Sequence, residues 1–300
     1  MMAAGIPQPV VMIFGIDTAS VAGNKNPDWV KAKATGPIAF AIIRSNYGTK
    51  ADSVFARDWP KLKQAGLVRG AYLFLRFPRG GKPAPAPEAQ AEAAIATIGD
   101  LDDGDLPPTV DVEFPGGGRA ETGLSAAECL QGVRAAWAIL RDAYGAAPIV
   151  YTSARVWRDD LGNAPADDLS DSPLWLARYF FKPGPAARDA AAFASGTRDP
   201  PVPPPWGDAA NWWIHQYQGD AVKFPGLATG NVDMNRFNVA FRGARGARVR
   251  WLQRRLGVAE SGRFDAATER AVRDFQDDND LIGDGIVGPR TFAYLARVDV

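Results

Sequence analysis

One cysteine in 300 residues excludes an intramolecular disulfide, and one histidine excludes a His-rich zinc cluster and leaves little room for a Ser-His-Asp triad. Cys129 lies in the helical pattern AAECLQGVRAAWAIL, where a buried, inert thiol is expected. Net charge is also missing. The 34 basic residues balance 34 acidic ones, so the chain has no bulk positive field for nucleic acid. No stretch approaches the roughly 20 apolar residues that cross a bilayer. The start, MMAAGIPQP, has neither a basic leader region nor a small-residue cleavage site, and VVMIFG runs straight into Asp17, as a core strand would. The expectation is a soluble monomer made in the cytoplasm without an export signal, with no membrane insertion. Any chemistry falls to carboxylates and tyrosines.

The stretch PPTVDVEFPGG (107–117) sets Asp111 and Glu113 at spacing i, i+2. Successive strand side chains alternate between faces, so these two share one face, with Cα atoms roughly 6.5 Å apart. An exposed edge strand would simply solvate such a pair. The flanking Val110 and Val112, and a Pro-Gly stop, instead suggest a strand covered on both faces whose acids point into a site.

Up to about residue 240, short apolar runs alternate with amphipathic ones. Strands are expected at 10–17, 38–46, 69–77, 108–114, 148–153, 173–179, 211–217 and 231–237. Helices are expected in NPDWVKAKA, SVFARDWPKLKQAG, PEAQAEAAIATIG and the segment from Ser125, a capping-box N-cap with Glu128, to the stop at Gly145. Apolar strands separated by helices imply a parallel sheet covered on both faces, and eight of them favour a closed α/β barrel. The last three strands have little helix between them, and the connection at 182–210 is rich in Ala, Pro and Gly. From about 243 onward, Val249, Leu252 and Leu256, then Val272 and Phe275 after the N-cap Asp265, then Phe292 and Leu295 after Pro289, describe a small three-helix unit.

Functional groups of such barrels sit at the carboxyl ends of the strands. Asp17 ends the first strand, Asp111 and Glu113 end the fourth, and Asp233 lies in the eighth, beside the first once the barrel closes. Paired carboxylates are the minimal apparatus for cleaving a glycosidic bond, one donating a proton and one ionised. Glu113, longer and beside Phe114, is the candidate donor, and the deeper Asp111 the ionised partner. The same acids could ligate Mg²⁺ or Mn²⁺, but no phosphate clamp or Gly-rich phosphate loop accompanies them, so neither metal nor cofactor is expected. Tyr47, Tyr72, Tyr151, Tyr179, Trp213 and Tyr217 lie in or just beyond strands, where aromatic faces could stack on sugar rings. Trp175 and Trp212 are expected to face outward, toward the helices.

These segments resemble the glycoside hydrolase family 25 muramidases, the Chalaropsis-type lysozymes. The matching stretches are GID (15–17), FAIIRSNYGT (40–49), GAY (70–72), DVE (111–113), PIVYTS (148–153), PLWLARY (173–179) and WIHQYQGDAVKFPGLATGNVDMNRFN (213–238). The resemblance implies an irregular (β/α)5(β)3 barrel over 1–240 that hydrolyses the β-1,4 bond between N-acetylmuramic acid and N-acetylglucosamine of bacterial peptidoglycan, retaining configuration. It places the acid/base on Glu113 and its partners on Asp111, Asp17 and Asp233. Either a carboxylate or the substrate acetamido oxygen could attack the anomeric carbon, with Asp111 orienting the amide in the second case. Three departures bear on substrate preference: Leu73 where His is common, GIDTAS in the first strand, and the glycine-rich loop FPGGGRAETG. The unit at 241–300, with GRFDAATERAVRDFQDDNDLIGDGIVGPRTF, resembles a peptidoglycan-binding module, which would tether the barrel of a phage endolysin or related lysin to the wall. A non-catalytic wall binder on a degenerate barrel and a hydrolase of another amino-sugar polymer, such as chitin, are the rival readings.

Overall fold

The computed structural model describes residues 12–187, 199–207 and 211–298. Eight strands close into a barrel: β1 (Ile13–Thr18), β2 (Ile38–Tyr47), β3 (Val68–Phe74), β4 (Thr109–Asp111), β5 (Ile149–Thr152), β6 (Leu174–Phe181), β7 (Ile214–Phe224) and β8 (Leu227–Phe237). Neighbours from β1 through β7 run parallel, whereas β8 returns antiparallel and closes the ring between β7 and β1. The expected Val10 and Val11 of the first strand, much of the 182–210 connection and the extreme N-terminus lie outside the described residues.

The inward and outward faces follow the pleat. Along β2, Phe40 and Ile42 fill the interior while Ala41 and Ile43 face the helices. The helical layer is α1 (Trp29–Thr35), α2 (Phe55–Gln64), α3 (Pro87–Ile98) and α4 (Ala126–Tyr144). The Asp28 side chain caps α1 by accepting from Lys31 N at 2.9 Å, and α4 carries the expected Ser125–Glu128 capping box and stops at Gly145 with φ 63°. Cys129 is buried in α4. No α-helix links β5 to β6. A single π-helical turn at Val156–Asp160 stands there, so the fifth β/α unit is abbreviated.

Two glycines are fixed by close approach. A Cβ on Gly15, inside the barrel, would stand 2.4 Å from the Phe40 ring, and one on Gly226 (φ 82°), at the β7–β8 turn, would stand 2.3 Å from the Asp28 carbonyl. Gly15→Ala must therefore displace Phe40 from the floor. We expect it to lower stability by about 1–3 kcal/mol, measured as a reduced urea midpoint at unchanged slope; an unchanged midpoint would show that the floor is loosely packed.

The C-terminal unit comprises α5 (Ala247–Arg255), α6 (Ala266–Asp278) and α7 (Pro289–Leu295), with Asp265 capping α6 and Pro289 opening α7 as the sequence suggests. It is docked against the barrel end opposite the strand tips. Trp213 lies 5.0 Å from Trp251 and 4.6 Å from Phe292 between ring centroids, and Phe237 lies 5.5 Å from Phe292. Ala240 and Val287 exchange backbone hydrogen bonds across the seam, and Trp251 Nε1 donates to the Asp171 carbonyl at 3.0 Å. Interior residues of the barrel floor and the core of the helical unit thus form one continuous apolar cluster. Among the described residues no helix is long and apolar enough to cross a membrane.

Candidate active site

The carboxyl ends of the strands gather the acids. Asp17 and Asp233 stand directly opposite one another in the antiparallel β1–β8 pair. Asp111 is the last residue of β4, level with Phe74 of β3 and Tyr151 of β5. Glu113 was expected within this strand but lies just beyond it, because pairing stops at Asp111. That position lets its longer side chain reach the cleft, where Glu113 lines two hollows of about 520 and 280 Å³. The larger, beside β1–β3, has Tyr47, Arg44, Lys50 and Arg79 in its walls; the smaller, beside β5–β6, has Tyr151, Ser153, Arg155 and Tyr179.

Burial dominates the electrostatics. It pushes Asp17 well above the usual carboxylate range, with the Asp233 charge adding to the effect and hydrogen bonds from Gln216 and Asn235 opposing it. Asp111 is raised well above its ordinary value by burial and then by the charges of Glu113 and Asp17, while Arg44 pulls it down. Glu113 is raised by burial and by Asp233, with Arg155 opposing. Asp233 is pushed up to about 6 by burial, against the Asp220 N–H that its Oδ1 accepts at 2.7 Å. The sequence reading assigns the ionised role to Asp111; burial raises both acids, and Asp111 Oδ1 is buried with no donor among the described residues. Like-charged neighbours that feel one another this strongly release their protons as a group.

Most of the expected aromatics join this cleft. Tyr47 packs on Phe74 at 4.8 Å and is 37% exposed at the mouth. Tyr72 lies deeper, edge-on to Trp175 at 6.3 Å, and the Tyr151 and Tyr179 hydroxyls both donate to Gln216 Oε1, at 2.8 and 3.0 Å. Two do not join it. Trp213 precedes β7, which begins at Ile214, so it sits at the opposite end of the barrel under the helical unit. Tyr217 is sent by the pleat to the outer face, where its hydroxyl donates to the Ala187 carbonyl at 2.6 Å. Trp175 is a correction in the other sense: expected outside, it points inward, packs on Tyr151 at 4.7 Å and donates to Asn235 Oδ1 at 2.7 Å. Trp212 does face outward, against His215.

Sequence reasoning missed the polar residues that hold the acids. Gln216 Nε2 donates to Asp17 Oδ2 at 2.8 Å and to Asp233 Oδ2 at 3.2 Å, and Asn235 Nδ2 donates to Asp17 Oδ2 at 2.7 Å. The available signal was the alternation in WIHQYQ, where Gln216 follows Ile214 on the inward phase of the strand. Two of the departures separate cleanly. Leu73 is buried under the helices and does not reach the cleft, whereas the glycine-rich loop folds into a 3-10 turn at Gly118–Thr122 and walls it, latched by Arg79 Nε to Glu121 Oε2 at 2.6 Å.

Comparisons with known proteins agree with this geometry. The family model described as glycosyl hydrolases family 25 matches residues 16–227, and a peptidoglycan binding domain model matches residues 245–295. Lysozyme M1 of Streptomyces globisporus is 28% identical over 231 residues, covering 75% of this chain and 68% of its own. An uncharacterized protein of Escherichia coli O157:H7, YegX, is 28% identical over 231 residues, covering 75% and 70%. The crystal structure of the bacterial lysozyme from Streptomyces coelicolor superposes with a TM-score of 0.59 at 25% identity, covering 76% of this chain and 93% of that one. With a match spanning most of the chain, on a closed barrel whose carboxylates meet at the strand tips, this protein belongs to glycosyl hydrolases family 25.

Proposed function

We propose that the barrel, residues 1–240, hydrolyses the β-1,4 bond between N-acetylmuramic acid and N-acetylglucosamine in bacterial peptidoglycan, and that the unit at 241–300 binds the same polymer and holds the enzyme at the wall. The observation that carries the reading is the place of Glu113: it is shared by two adjoining hollows, each with tyrosine in its wall, and burial keeps its proton to higher pH than a free glutamate would. A sugar in each hollow would put the linking oxygen beside this carboxyl, which can protonate the leaving oxygen and then deprotonate the incoming water. Asp111, with a buried oxygen that has no donor among the described residues, suits acceptance of an N–H from the acetamido group of the reacting sugar. Asp233, the less buried of the seam pair, supplies negative field for the developing oxocarbenium charge when it is ionised, with Asp17 beside it. Tyr47 on one side, and Tyr151 and Tyr179 on the other, offer ring faces and hydroxyls to the glycan.

The test is the product. Borohydride-reduced fragments of purified peptidoglycan should carry reduced muramic acid as their new terminus in the mass spectrum. Reduced glucosamine at that terminus, or release of chitin oligomers at comparable rates, would contradict the bond assignment.

A further inference from the structure

Gln216 is 2% exposed, and among the described residues its side-chain amide bonds to side chains and not to the backbone. Its amide joins four groups: it accepts from the Tyr151 and Tyr179 hydroxyls and donates to Asp17 and Asp233. The orientation is forced once the acids ionise, since a carboxylate only accepts and the NH2 end must then face it. A second amide works beside it. An indole N–H only donates, so Trp175 fixes Oδ1 of Asn235 and turns its Nδ2 onto Asp17. Asp17 Oδ2 therefore takes two N–H bonds from two oriented amides, while Asp233 Oδ2 depends on Gln216 alone among the described side chains.

We propose that Gln216 is the positioning residue of the carboxylate cluster, holding Asp17 and Asp233 side by side at the β1–β8 seam and taking its own orientation from Tyr151 and Tyr179. This deepens the muramidase reading and rests on it. Two acids facing each other across one strand pair would otherwise repel or share a proton directly. A neutral donor inserted between them keeps both oriented and available to the cleft. Because Tyr179 is 54% exposed on the rim, the same amide ties a residue open to substrate to the buried Asp17 and the half-buried Asp233.

The decisive variant is Gln216→Met, which keeps the volume and removes both donors, with the double replacement Tyr151→Phe and Tyr179→Phe as the second, leaving the amide but freeing its orientation. Each is followed on soluble peptidoglycan fragments and by carbon NMR titration of labelled aspartate side chains. Losing an N–H bond to an ionised carboxylate raises its pKa, so Asp233 should titrate about 0.5–1 unit higher in Gln216→Met. We expect kcat to fall about tenfold to a hundredfold with KM within about threefold, and the paired Phe replacements to move kcat and titration in the same direction by less. A kcat within twofold of wild type in Gln216→Met, or a loss of kcat with both aspartate titrations unmoved, overturns the positioning role. If Gln216→Met fails to fold, unmoved titrations in the paired Phe variant overturn it as well. A wild-type enzyme that cuts no peptidoglycan would instead refute the muramidase reading, and the titrations would still decide the role of Gln216.

Discussion

Glu113→Gln will lower the rate of peptidoglycan clearing by about a thousandfold while leaving the chain folded and able to pellet with walls. Glutamine keeps the size of the side chain and its place between the two hollows but carries no transferable proton. The sign of the stability change follows from burial. Glu113 has a folded pKa above its unfolded one, so protonation favours the fold: its contribution is fully present below the ordinary glutamate pKa and is lost as pH rises through the raised value. At neutral pH the ionised side chain is a cost that glutamine removes, so melting of Glu113→Gln should be unchanged or higher at pH 7 and should lose any such gain at pH 4. Loss of activity with gain of stability separates a catalytic carboxyl from a structural one. In the wild type, activity should decline as the pH rises through the range where this cluster ionises. Asp111→Asn should cost less, about tenfold to a hundredfold, because it removes an acceptor and not the proton donor. Equal clearing by wild type and Glu113→Gln would end the hydrolase assignment.

The acids of this site were legible because they fall within or at the ends of apolar strands, where composition and position disagree. Asp17, Asp111 and Asp233 interrupt runs of Ile, Val and Phe, and barrel closure brings their strands to one mouth. The aromatics were less legible. A strand start displaced by a few residues moved Trp213 from the expected mouth to the floor, and the phase of β7 moved Tyr217 outside. An aromatic suits a sugar face, a core or a domain seam equally well, so only the register decides among them. Gln216 escaped notice for the opposite reason: a neutral amide looks unremarkable until its neighbours are known. Leu73 shows that a difference from relatives can lie one residue from the cleft in sequence and on the far face of the strand in space.

The helical unit, read from sequence as a tethering module, shares one apolar cluster with the barrel floor, which leads to the second large effect. A chain ending at Ala240 will not yield a stable, soluble barrel. Removing residues 241–300 strips Trp251, Phe292 and Val287 from the barrel floor and opens Trp213 and Phe237, which are only 2% exposed in the whole chain. Each large apolar side chain returned to water costs about 1.5–3 kcal/mol, and several together match the roughly 5–15 kcal/mol that stabilises a whole domain. Polar ties are lost as well: Arg254 Nη1 to Asp171 Oδ1 at 2.6 Å, the Trp251 indole to the Asp171 carbonyl, and Arg297 to the Asp102 carbonyl at 2.9 Å. The full chain should melt in a single calorimetric transition, and Phe292→Ala should lower that transition as one event, by about 3–5 kcal/mol, not melt the helical unit ahead of the barrel. Two separated transitions, or a soluble and active 1–240 fragment, would show that the unit is an independent tether. If it is fused in this way, wall binding and bond cleavage happen at opposite ends of one rigid body, and the gain from tethering depends on the polymer presenting both sites at that fixed spacing.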